Sequence, residues 1–487
     1  MEDLSDRNLL QSKSFINGQW HSSNSHFTVI SPATMQVLTN VEEVTTQQLS
    51  LAVASATSAQ KQWQQATANE RSKALKQWLA LIEENITDLA LILTREQGKT
   101  LSDAKAEIRY GASFIEWFSE EAKRVYGDTI PSSNTHNRIS VIKQPIGVVS
   151  AITPWNFPNA MITRKAAAAL AAGCSFIVKP AAETPLSALA LAYLADKAGL
   201  PKGLFNVVVG ADAQHIGEVL TTHPNIAKFT FTGSTHTGKL LAAQCISTVK
   251  KVSLELGGNA PFIVFDDANI DNAIEALVSA KFRNCGQTCI SPNRIYLHED
   301  IAQQFTEKLS KCINTLQQGN GEEKTNDIAC LINLQAAEKI HNLVNKAVKN
   351  GANIVTGGLV AKPDSAFYPP TVLNNVTHGD EITQQEIFGP VLPLITFKNT
   401  TQVIEQANDT PYGLAAYFFS QNINCIYQVS EALNYGMVGI NDTAISTTSA
   451  PFGGIKHSGY GREGSKYGLD DYLTIKYICL GNIGTNN

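Results

Sequence analysis

The sequence predicts an α/β protein with a Rossmann-type, doubly wound parallel sheet followed by a second α/β unit. Five short strand-like runs, at 147–153, 175–180, 205–210, 227–233 and 251–257, alternate with alanine- and leucine-rich helical segments. Repeated strand, helix and strand is the pattern of a parallel sheet covered by helices. It is favoured over an antiparallel sheet with long connections. After Gly258, further strand-like runs alternate with helices at 269–282, 301–316 and 335–349.

The region before the first strand is expected to be almost continuous helix from 48 to 126. Between Leu75 and Leu93, apolar residues recur every three or four positions, which is the period of one buried helix face. Two β-rich runs, 138–147 and 470–480, stand apart from both alternations. Each is predicted to pair outside its own domain, across a subunit contact, or to form a simple edge strand.

Composition restricts the class of protein. A chain of 487 residues is too long for one ordinary core. With a net charge of −5 and no dense Lys/Arg stripe, a nucleic-acid partner is not expected. No basic leader, no long apolar run and no cysteine or histidine spacing typical of zinc is present. We therefore expect a cytoplasmic protein without a membrane span or a bound metal.

A glycine-framed turn indicates a possible anion site. "FTGSTHTGK", residues 231–239, ends a strand and opens a helix near Thr235, with Gly233 and Gly238 at its two ends. Backbone N–H groups at a helix N-terminus bind phosphates, although a plain βα turn is the favoured interpretation of this motif taken alone. Lys179 ends another strand, and the two loops are expected to leave successive parallel strands. Ligands of such sheets bind at the carboxyl ends of strands, so the two turns together favour a dinucleotide.

The stretch "GQTC", residues 286–289, carries the candidate nucleophile Cys289. Gly286 is expected to let the backbone approach a bound ligand. No histidine lies nearby, so a Cys–His pair is not indicated. Glu255 ends an apolar strand, where burial should raise the pKa of its carboxyl into the range of a general base. A simple ion pair with Lys251 remains the alternative.

A third candidate is Asn156, in a turn between Pro154 and Pro158 at the end of the first strand. Its side-chain amide can donate to an oxyanion, with the backbone N–H of Cys289 as a second donor. Asparagine is also common in turns without any function.

Seven motifs in register identify the chain as resembling the NAD(P)-dependent aldehyde dehydrogenase superfamily over essentially its whole length. Within that family the chain looks most like the succinate-semialdehyde dehydrogenases, which share long runs around "FRNCGQTC" and "GREGSKYG". The motifs are "PWNFP", "VKPA", "FTGST", "ELGGNAP", "GQTC", "EIFGP" and "PFGGIKHSGYGREG".

The resemblance implies a role for each matching residue. Cys289 corresponds to the nucleophile, Glu255 to the general base and Asn156 to the oxyanion donor, whereas Cys285 has no implied role. The reaction implied is oxidation of succinate semialdehyde to succinate through a thiohemiacetal and a thioester on the nucleophile. The implied cofactor contacts are Lys179 at the adenosine ribose, Glu386 at the nicotinamide ribose, Gly233 and Ser234 at the pyrophosphate, Trp155 and Phe388 near the nicotinamide, and Thr153, Ala182 and Leu256 elsewhere along the cofactor.

The resemblance also implies how substrate and cofactor are selected. Arg164, Arg283 and Ser446 match positions that hold the far carboxylate of a semialdehyde, for which a guanidinium fork is well suited. Three residues after Lys179 stands Ala182, where NAD-preferring members often carry a carboxylate. We therefore expect either NADP or NAD to bind, with NADP favoured.

The expected domains follow from the same resemblance. Relatives form dimers or tetramers, and breakdown of 4-aminobutyrate is the implied pathway. The alternatives are a dehydrogenase of glutarate semialdehyde or another ω-carboxylic aldehyde, a CoA-acylating enzyme, which Glu255 disfavours, and a non-catalytic scaffold, which Cys289 disfavours. The predicted boundaries are 1–130 and 148–255 for the cofactor domain, 256–450 for the catalytic domain, 451–469 for a return to the cofactor domain, and 131–147 and 470–487 for oligomerisation strands.

Overall fold

The structure is a computed structural model that describes residues 3–358 and 365–483. Its strands are β1 (Ser14–Ile16), β2 (Gln19–His21), β3 (His26–Ile30), β4 (Val37–Glu42), β5 (Asp128–Ile130), β6 (Arg138–Pro145), β7 (Val148–Ile152), β8 (Ser175–Lys179), β9 (Phe205–Val207), β10 (Ile226–Thr232), β11 (Lys251–Glu255), β12 (Ala260–Val264), β13 (Pro292–His298), β14 (Asn353–Thr356), β15 (Thr371–Asn374), β16 (Val391–Phe397), β17 (Ala415–Phe419), β18 (Met437–Ile440), β19 (Gly459–Tyr460) and β20 (Leu473–Leu480). Its helices are α1 (Thr46–Trp63), α2 (Ala68–Glu84), α3 (Ile86–Gln97), α4 (Leu101–Glu121), α5 (Ala160–Ala172), α6 (Pro185–Lys197), α7 (Ala213–Thr222), α8 (Thr235–Cys245), α9 (Ile270–Phe282), α10 (Glu299–Ile313), α11 (Leu334–Lys349), α12 (Glu381–Gln384), α13 (Thr400–Asn408), α14 (Ile423–Ala432) and α15 (Ser465–Asp470).

The predicted parallel sheet is confirmed. Its five central strands run in the order β11-β10-β7-β8-β9, and each adjacent pair is parallel. Strands β1 and β2 extend one edge and β19 extends the other, all in antiparallel pairing. The expectation that the loops after Lys179 and Thr232 leave successive strands is wrong, because β9 intervenes along the chain and β7 lies between β8 and β10 in the sheet.

The predicted helical region consists of four helices separated by capping residues. Thr45 and Thr67 each form a capping box, and Thr100 accepts a hydrogen bond from the backbone N–H of Asp103. Gly98, in the left-handed conformation, ends α3. Helix α4 packs closely on α5, because a Cβ at Gly111 would lie 2.7 Å from Thr163 Oγ1.

The second alternation forms a seven-stranded sheet in the order β14-β15-β16-β13-β12-β17-β18. All neighbouring strands are parallel except the edge pair β14–β15. A separate apolar core surrounds this sheet. The two sheets therefore belong to two structural units, joined where β11 continues directly into β12.

The two isolated β-rich runs pair with each other. Strand β20 is antiparallel to β6 over eight residues, and β5 completes a three-stranded sheet. The apolar side chains of Ile475 and Tyr477 on β20 are exposed. The prediction assigned β5 to the cofactor domain, whereas its strand partner is β6; residues 484–487 of the predicted 470–487 segment lie outside the described residues.

The position of the site follows from the strand directions. β7, β8, β10 and β11 all end at one edge of the first sheet, with Thr232 beside Glu255 and Ile152 beside Lys179. Strands β12, β13 and β16 begin at the facing edge of the second sheet. Loops from both edges line one cavity. Within the described residues, no helix has both the length and the apolar character needed to cross a membrane.

Candidate active site

A cavity of about 670 Å³ lies between the two sheets. This volume is typical of a small-molecule or cofactor site. Twelve of the fifteen predicted site residues line it, and the other three do not. The twelve are Trp155, Asn156, Arg164, Gly233, Ser234, Glu255, Leu256, Arg283, Cys289, Glu386, Phe388 and Ser446.

The loop that carries Cys289 has an unusual backbone. Asn284 and Cys285 adopt φ values of 50° and 55°, and Gly286 follows at 76°. A Cβ at Gly286 would lie 2.4 Å from the carbonyl oxygen of Gly389. The expectation that Gly286 approaches a ligand is therefore wrong: its close contact is with the chain itself, and it does not line the cavity.

The thiol of Cys289 is half-buried and faces the cavity. Burial and the nearby carboxylates of Glu386 and Glu255 raise the pKa of Cys289 to about 12, although Arg164 and Arg283 act in the opposite direction. The surroundings therefore favour the neutral thiol over the thiolate. The thiol must lose its proton before the sulfur can act as a nucleophile.

Glu255 ends β11 and is buried at the cavity wall. Burial and the charge of Glu463 raise the pKa of Glu255 well above its ordinary value. Its Oε2 atom has no hydrogen-bond partner among the described residues. Lys251 contacts Asp470 and Asp471, so the alternative of a Lys251–Glu255 ion pair is not the arrangement found. The buried carboxyl has the properties of a general base for neutral pH.

Asn156 is fixed by groups from three distant segments. Its backbone oxygen accepts hydrogen bonds from Lys99 Nζ at 2.8 Å and from Asn284 Nδ2 at 2.9 Å. Its side-chain Nδ2 donates to the carbonyl of Gln287 at 2.9 Å. The amide nitrogen carries two N–H groups, and this bond uses one of them.

Lys99 is itself held by a buried ion pair. Its Nζ lies 2.6 Å from Glu107 Oε2, and both side chains are completely buried. Glu107 Oε1 accepts the backbone N–H groups of Asn159 and Ala160 at the start of α5. The pair therefore connects α4 to the turn that contains Asn156.

Arg164 lines the cavity but has a protein partner for its charge. Its Nε is ion-paired with Glu463 Oε2, and Lys165 Nζ contacts the other oxygen of that carboxylate. The guanidinium also lies 4.4 Å from the ring centroid of Phe452. Although burial favours protonation, Arg164 and Lys165 lower the pKa of Glu463 below its ordinary value.

Arg283 differs from Arg164 in its surroundings. Its side chain is exposed at the cavity, and its guanidinium lies 5.6 Å from the ring centroid of Phe157. No ion pair joins it to a carboxylate among the described residues. Ser446 is half-buried, and its Oγ lies 2.5 Å from the Oη of Tyr110.

Several residues predicted to contact the cofactor lie in the cavity, at the facing edges of the two sheets. Ser234 caps α8, where its side chain accepts the backbone N–H of Thr237. Glu386 Oε1 accepts the backbone N–H of Gly258 at 3.1 Å, and burial raises the pKa of Glu386 to about 7. Phe388, at a φ of 55°, packs edge-on against Trp155 with the ring centroids 5.4 Å apart.

Three predicted cofactor residues do not line this cavity: Thr153, Lys179 and Ala182. They lie at the same edge of the first sheet, where Thr153 donates its backbone N–H to Lys179 O. Lys179 is buried, and burial lowers the pKa of its ammonium group. Since β7 ends beside both β8 and β10, these residues extend the edge beyond the cavity.

A dinucleotide fits the chemistry of this edge. The N-terminus of α8 opens into the cavity at Gly233 and Ser234, which provides donors for a phosphate. A Cβ at Gly257 would lie 2.8 Å from Glu386 Oε2, so only glycine leaves the space beside that carboxylate open. Glu386 can accept from ribose hydroxyls, as a nicotinamide nucleotide requires.

Comparison with known proteins decides the family. The aldehyde dehydrogenase family model matches residues 20–478. The chain belongs to the aldehyde dehydrogenase family. It is 51% identical to the 3-sulfolactaldehyde dehydrogenase of Pseudomonas putida, over 99% of this chain and 100% of that protein. It is 50% identical to the NADP-dependent succinate-semialdehyde dehydrogenase of Escherichia coli, over 98% and 99%. A crystal structure of succinate-semialdehyde dehydrogenase from Burkholderia pseudomallei superposes with a TM-score of 0.97 at 48% identity, over 98% and 100%.

Membership confirms the predicted fold class, and it confirms that this aldehyde dehydrogenase is an oxidoreductase that uses NAD(P)+.

The sequence did not reveal several residues around the site. Glu463 stands inside a quoted motif, but nothing local indicated its contact with Arg164. Lys99, Asp103 and Glu107 lie on or beside α4, far along the chain from the residues that they hold.

Proposed function

We propose that this enzyme oxidises a short aldehyde with an anionic group at its far end, with succinate semialdehyde as the preferred substrate. The observation that carries the proposal is Arg283, an exposed guanidinium on the cavity wall without a carboxylate partner among the described residues. The relatives named for semialdehyde and sulfolactaldehyde oxidation support an anionic substrate. Arg283 and Ser446 are the proposed contacts, with Arg164 behind them.

In the first step, the Cys289 sulfur forms a bond to the aldehyde carbon. Its proton passes to solvent in the cavity, so Glu255, which lines the same cavity, stays unprotonated for the second step. Negative charge develops on the former carbonyl oxygen, and the second N–H of Asn156 Nδ2 and the backbone N–H of Cys289 donate to it. Donors fixed before the reaction stabilise such charge without reorganising, and Lys99 fixes Asn156 in this way.

A nicotinamide cofactor bound here would supply the hydride acceptor for the aldehyde carbon. The residues proposed to hold it are Gly233, Ser234, Leu256 and Glu386 in the cavity, with Trp155 and Phe388 beside the nicotinamide position. Thr153, Lys179 and Ala182 extend the same edge toward the adenosine end. The carbon left on Cys289 is then a thioester.

In the second step, Glu255 removes a proton from water, which attacks the thioester carbon. The C–S bond breaks, the Cys289 thiolate takes up the proton that Glu255 removed from water, and the carboxylic acid product loses its own proton to solvent. The Oε2 of Glu255 supports this role, since it is an acceptor that no described residue donates to. A CoA-acylating enzyme has no need for such a base.

We propose NADP as the preferred cofactor. Ala182 places no charge at the position where NAD-preferring members often carry a carboxylate, and Glu183 is exposed beyond it. The NADP-dependent name of the Escherichia coli relative supports this choice. Comparing kcat/KM for NADP and NAD tests it, and a strong preference for NAD would contradict it.

An aldehyde panel tests the substrate proposal. Purified enzyme with NADP is assayed with succinate semialdehyde, glutarate semialdehyde, 3-sulfolactaldehyde, butanal and pentanal. We expect kcat/KM to be highest for succinate semialdehyde and at least tenfold lower for butanal. If kcat/KM is highest for glutarate semialdehyde or 3-sulfolactaldehyde, that compound becomes the proposed substrate and the anionic class stands. If kcat/KM for butanal equals that for succinate semialdehyde, the proposal of an anionic substrate is wrong.

The cellular setting and the assembly are also proposals. We infer a cytoplasmic homodimer or homotetramer that acts in 4-aminobutyrate breakdown. The exposed apolar residues of β20 support association. Analytical ultracentrifugation tests the assembly, and a monomer at micromolar concentration would contradict it.

A further inference from the structure

A pair of hydroxyl groups forms a polar patch in an otherwise aromatic part of the cavity. Tyr110 Oη and Ser446 Oγ are 2.5 Å apart, and both residues line the cavity. Phe157, Phe452 and Met161 form apolar surface in the same cavity. Two hydroxyls that share one hydrogen bond retain one O–H proton for a third group.

The neighbouring guanidinium favours one of the two possible directions of this hydrogen bond. Arg164 Nη1 donates to the Oη of Tyr110 at 3.5 Å, so that oxygen acts as an acceptor. This contact makes the Tyr110 O–H a stronger donor, which favours donation from Tyr110 to Ser446 and leaves the Ser446 proton for the cavity. Arg164 cannot easily turn away from this arrangement, because Glu463 holds its Nε.

We propose that Tyr110 is a positioning residue for substrate specificity, which orients the Ser446 hydroxyl toward the far anionic group of the substrate. This inference rests on the proposed function and adds a residue on α4 to it. Arg164, Tyr110 and Ser446 form a chain of hydrogen bonds in which each donor strengthens the next. The Ser446 O–H is therefore a better donor to the anionic group, although the charge of Arg164 is paired with Glu463. Arg283 supplies the unpaired charge beside it.

Tyr110→Phe removes one oxygen and keeps the ring, which packs edge-on against Phe114 with the ring centroids 4.9 Å apart. We expect this variant to raise KM for succinate semialdehyde about tenfold, with kcat and the KM for butanal changed less than twofold. Inhibition by succinate should weaken by a similar factor. The matched control is Tyr193→Phe, since the wild-type Tyr193 hydroxyl donates to Asp6 in the N-terminal segment. The two variants should have the same thermal midpoint.

A double-variant cycle tests the direction of the series. Ser446→Ala should raise KM for succinate semialdehyde at least as much as Tyr110→Phe does, and the combined variant should match Ser446→Ala within twofold. The inference would be overturned if the two single effects on KM for succinate semialdehyde multiply in the combined variant. An equal rise in KM for butanal, or a larger rise in KM for succinate semialdehyde in Tyr110→Phe than in Ser446→Ala, would also overturn it. If the wild type itself fails to prefer the semialdehyde over butanal, the proposed function fails; if it keeps that preference and Tyr110→Phe does not reduce it, only this inference fails.

Discussion

Removing the side chain of Arg283 should raise KM for aldehydes that carry an anionic group and leave KM for neutral aldehydes nearly unchanged. The guanidinium is exposed at the cavity and has no carboxylate partner among the described residues, so its loss leaves no buried charge behind. A hydrogen bond to a charged group contributes roughly 1.5–3 kcal/mol, and solvent exposure favours the lower end. About 1.5 kcal/mol corresponds to roughly a tenfold change in KM.

The assay compares KM for succinate semialdehyde and butanal in wild type, Arg283→Ala and Arg283→Lys. We expect the alanine variant to raise KM about tenfold for the semialdehyde and less than twofold for butanal. Lysine keeps the charge but loses the planar fork, so its effect should be intermediate. Arg109→Ala, at an exposed arginine of α4 outside the cavity lining, is the matched control. Equal losses for both aldehydes would refute the reasoning.

Three further predictions concern the base, the oxyanion amide and the cofactor. Because burial raises the pKa of Glu255, its active carboxylate form increases as pH rises, so the steady-state rate should rise with pH above the ordinary range of a carboxyl group. Glu255→Gln should abolish that rise and slow turnover about 10²- to 10⁴-fold, and a variant that keeps the rise would contradict the assignment. Lys99→Met should lower kcat at least tenfold with little change in KM, since Asn156 loses its 2.8 Å contact; an unchanged kcat in folded protein would contradict this. Gly257→Ala should raise the Kd for NADP, measured by quenching of protein fluorescence, because its Cβ would lie 2.8 Å from Glu386 Oε2; equal affinity would contradict the placement of the cofactor.

The sequence predicted those parts of the fold that have a local pattern. The parallel strands and the helices around them have clear periods, and both sheets were confirmed. The four short strands between Ser14 and Glu42 were missed, because three to six residues give too little alternation to recognise. The pairing of β6 with β20 joins residues more than 300 positions apart, and no local signal indicates such a partner.

The same limit applies to the site. Cys289, Glu255 and Asn156 follow strand ends or turns in short motifs, so their common location could be predicted, while their catalytic roles stay predictions. The supporting contacts depend on tertiary packing: Lys99 reaches Asn156 over 57 positions, and Lys165 reaches Glu463 over 298. Gly286 shows the opposite error, since a glycine beside a nucleophile was expected to face a ligand and instead faces Gly389.

The central claim is that the sulfur of Cys289 carries the substrate while Glu255 releases it. The most direct measurement is mass spectrometry of Glu255→Gln after a single addition of NADP and succinate semialdehyde. The account predicts one acyl group for each chain, on the peptide that contains Cys289, and the same labelling in a Cys285→Ser control that also carries Glu255→Gln. An acyl group on any other residue, or NADPH formed in amounts equal to the enzyme without an acylated Cys289, would contradict it.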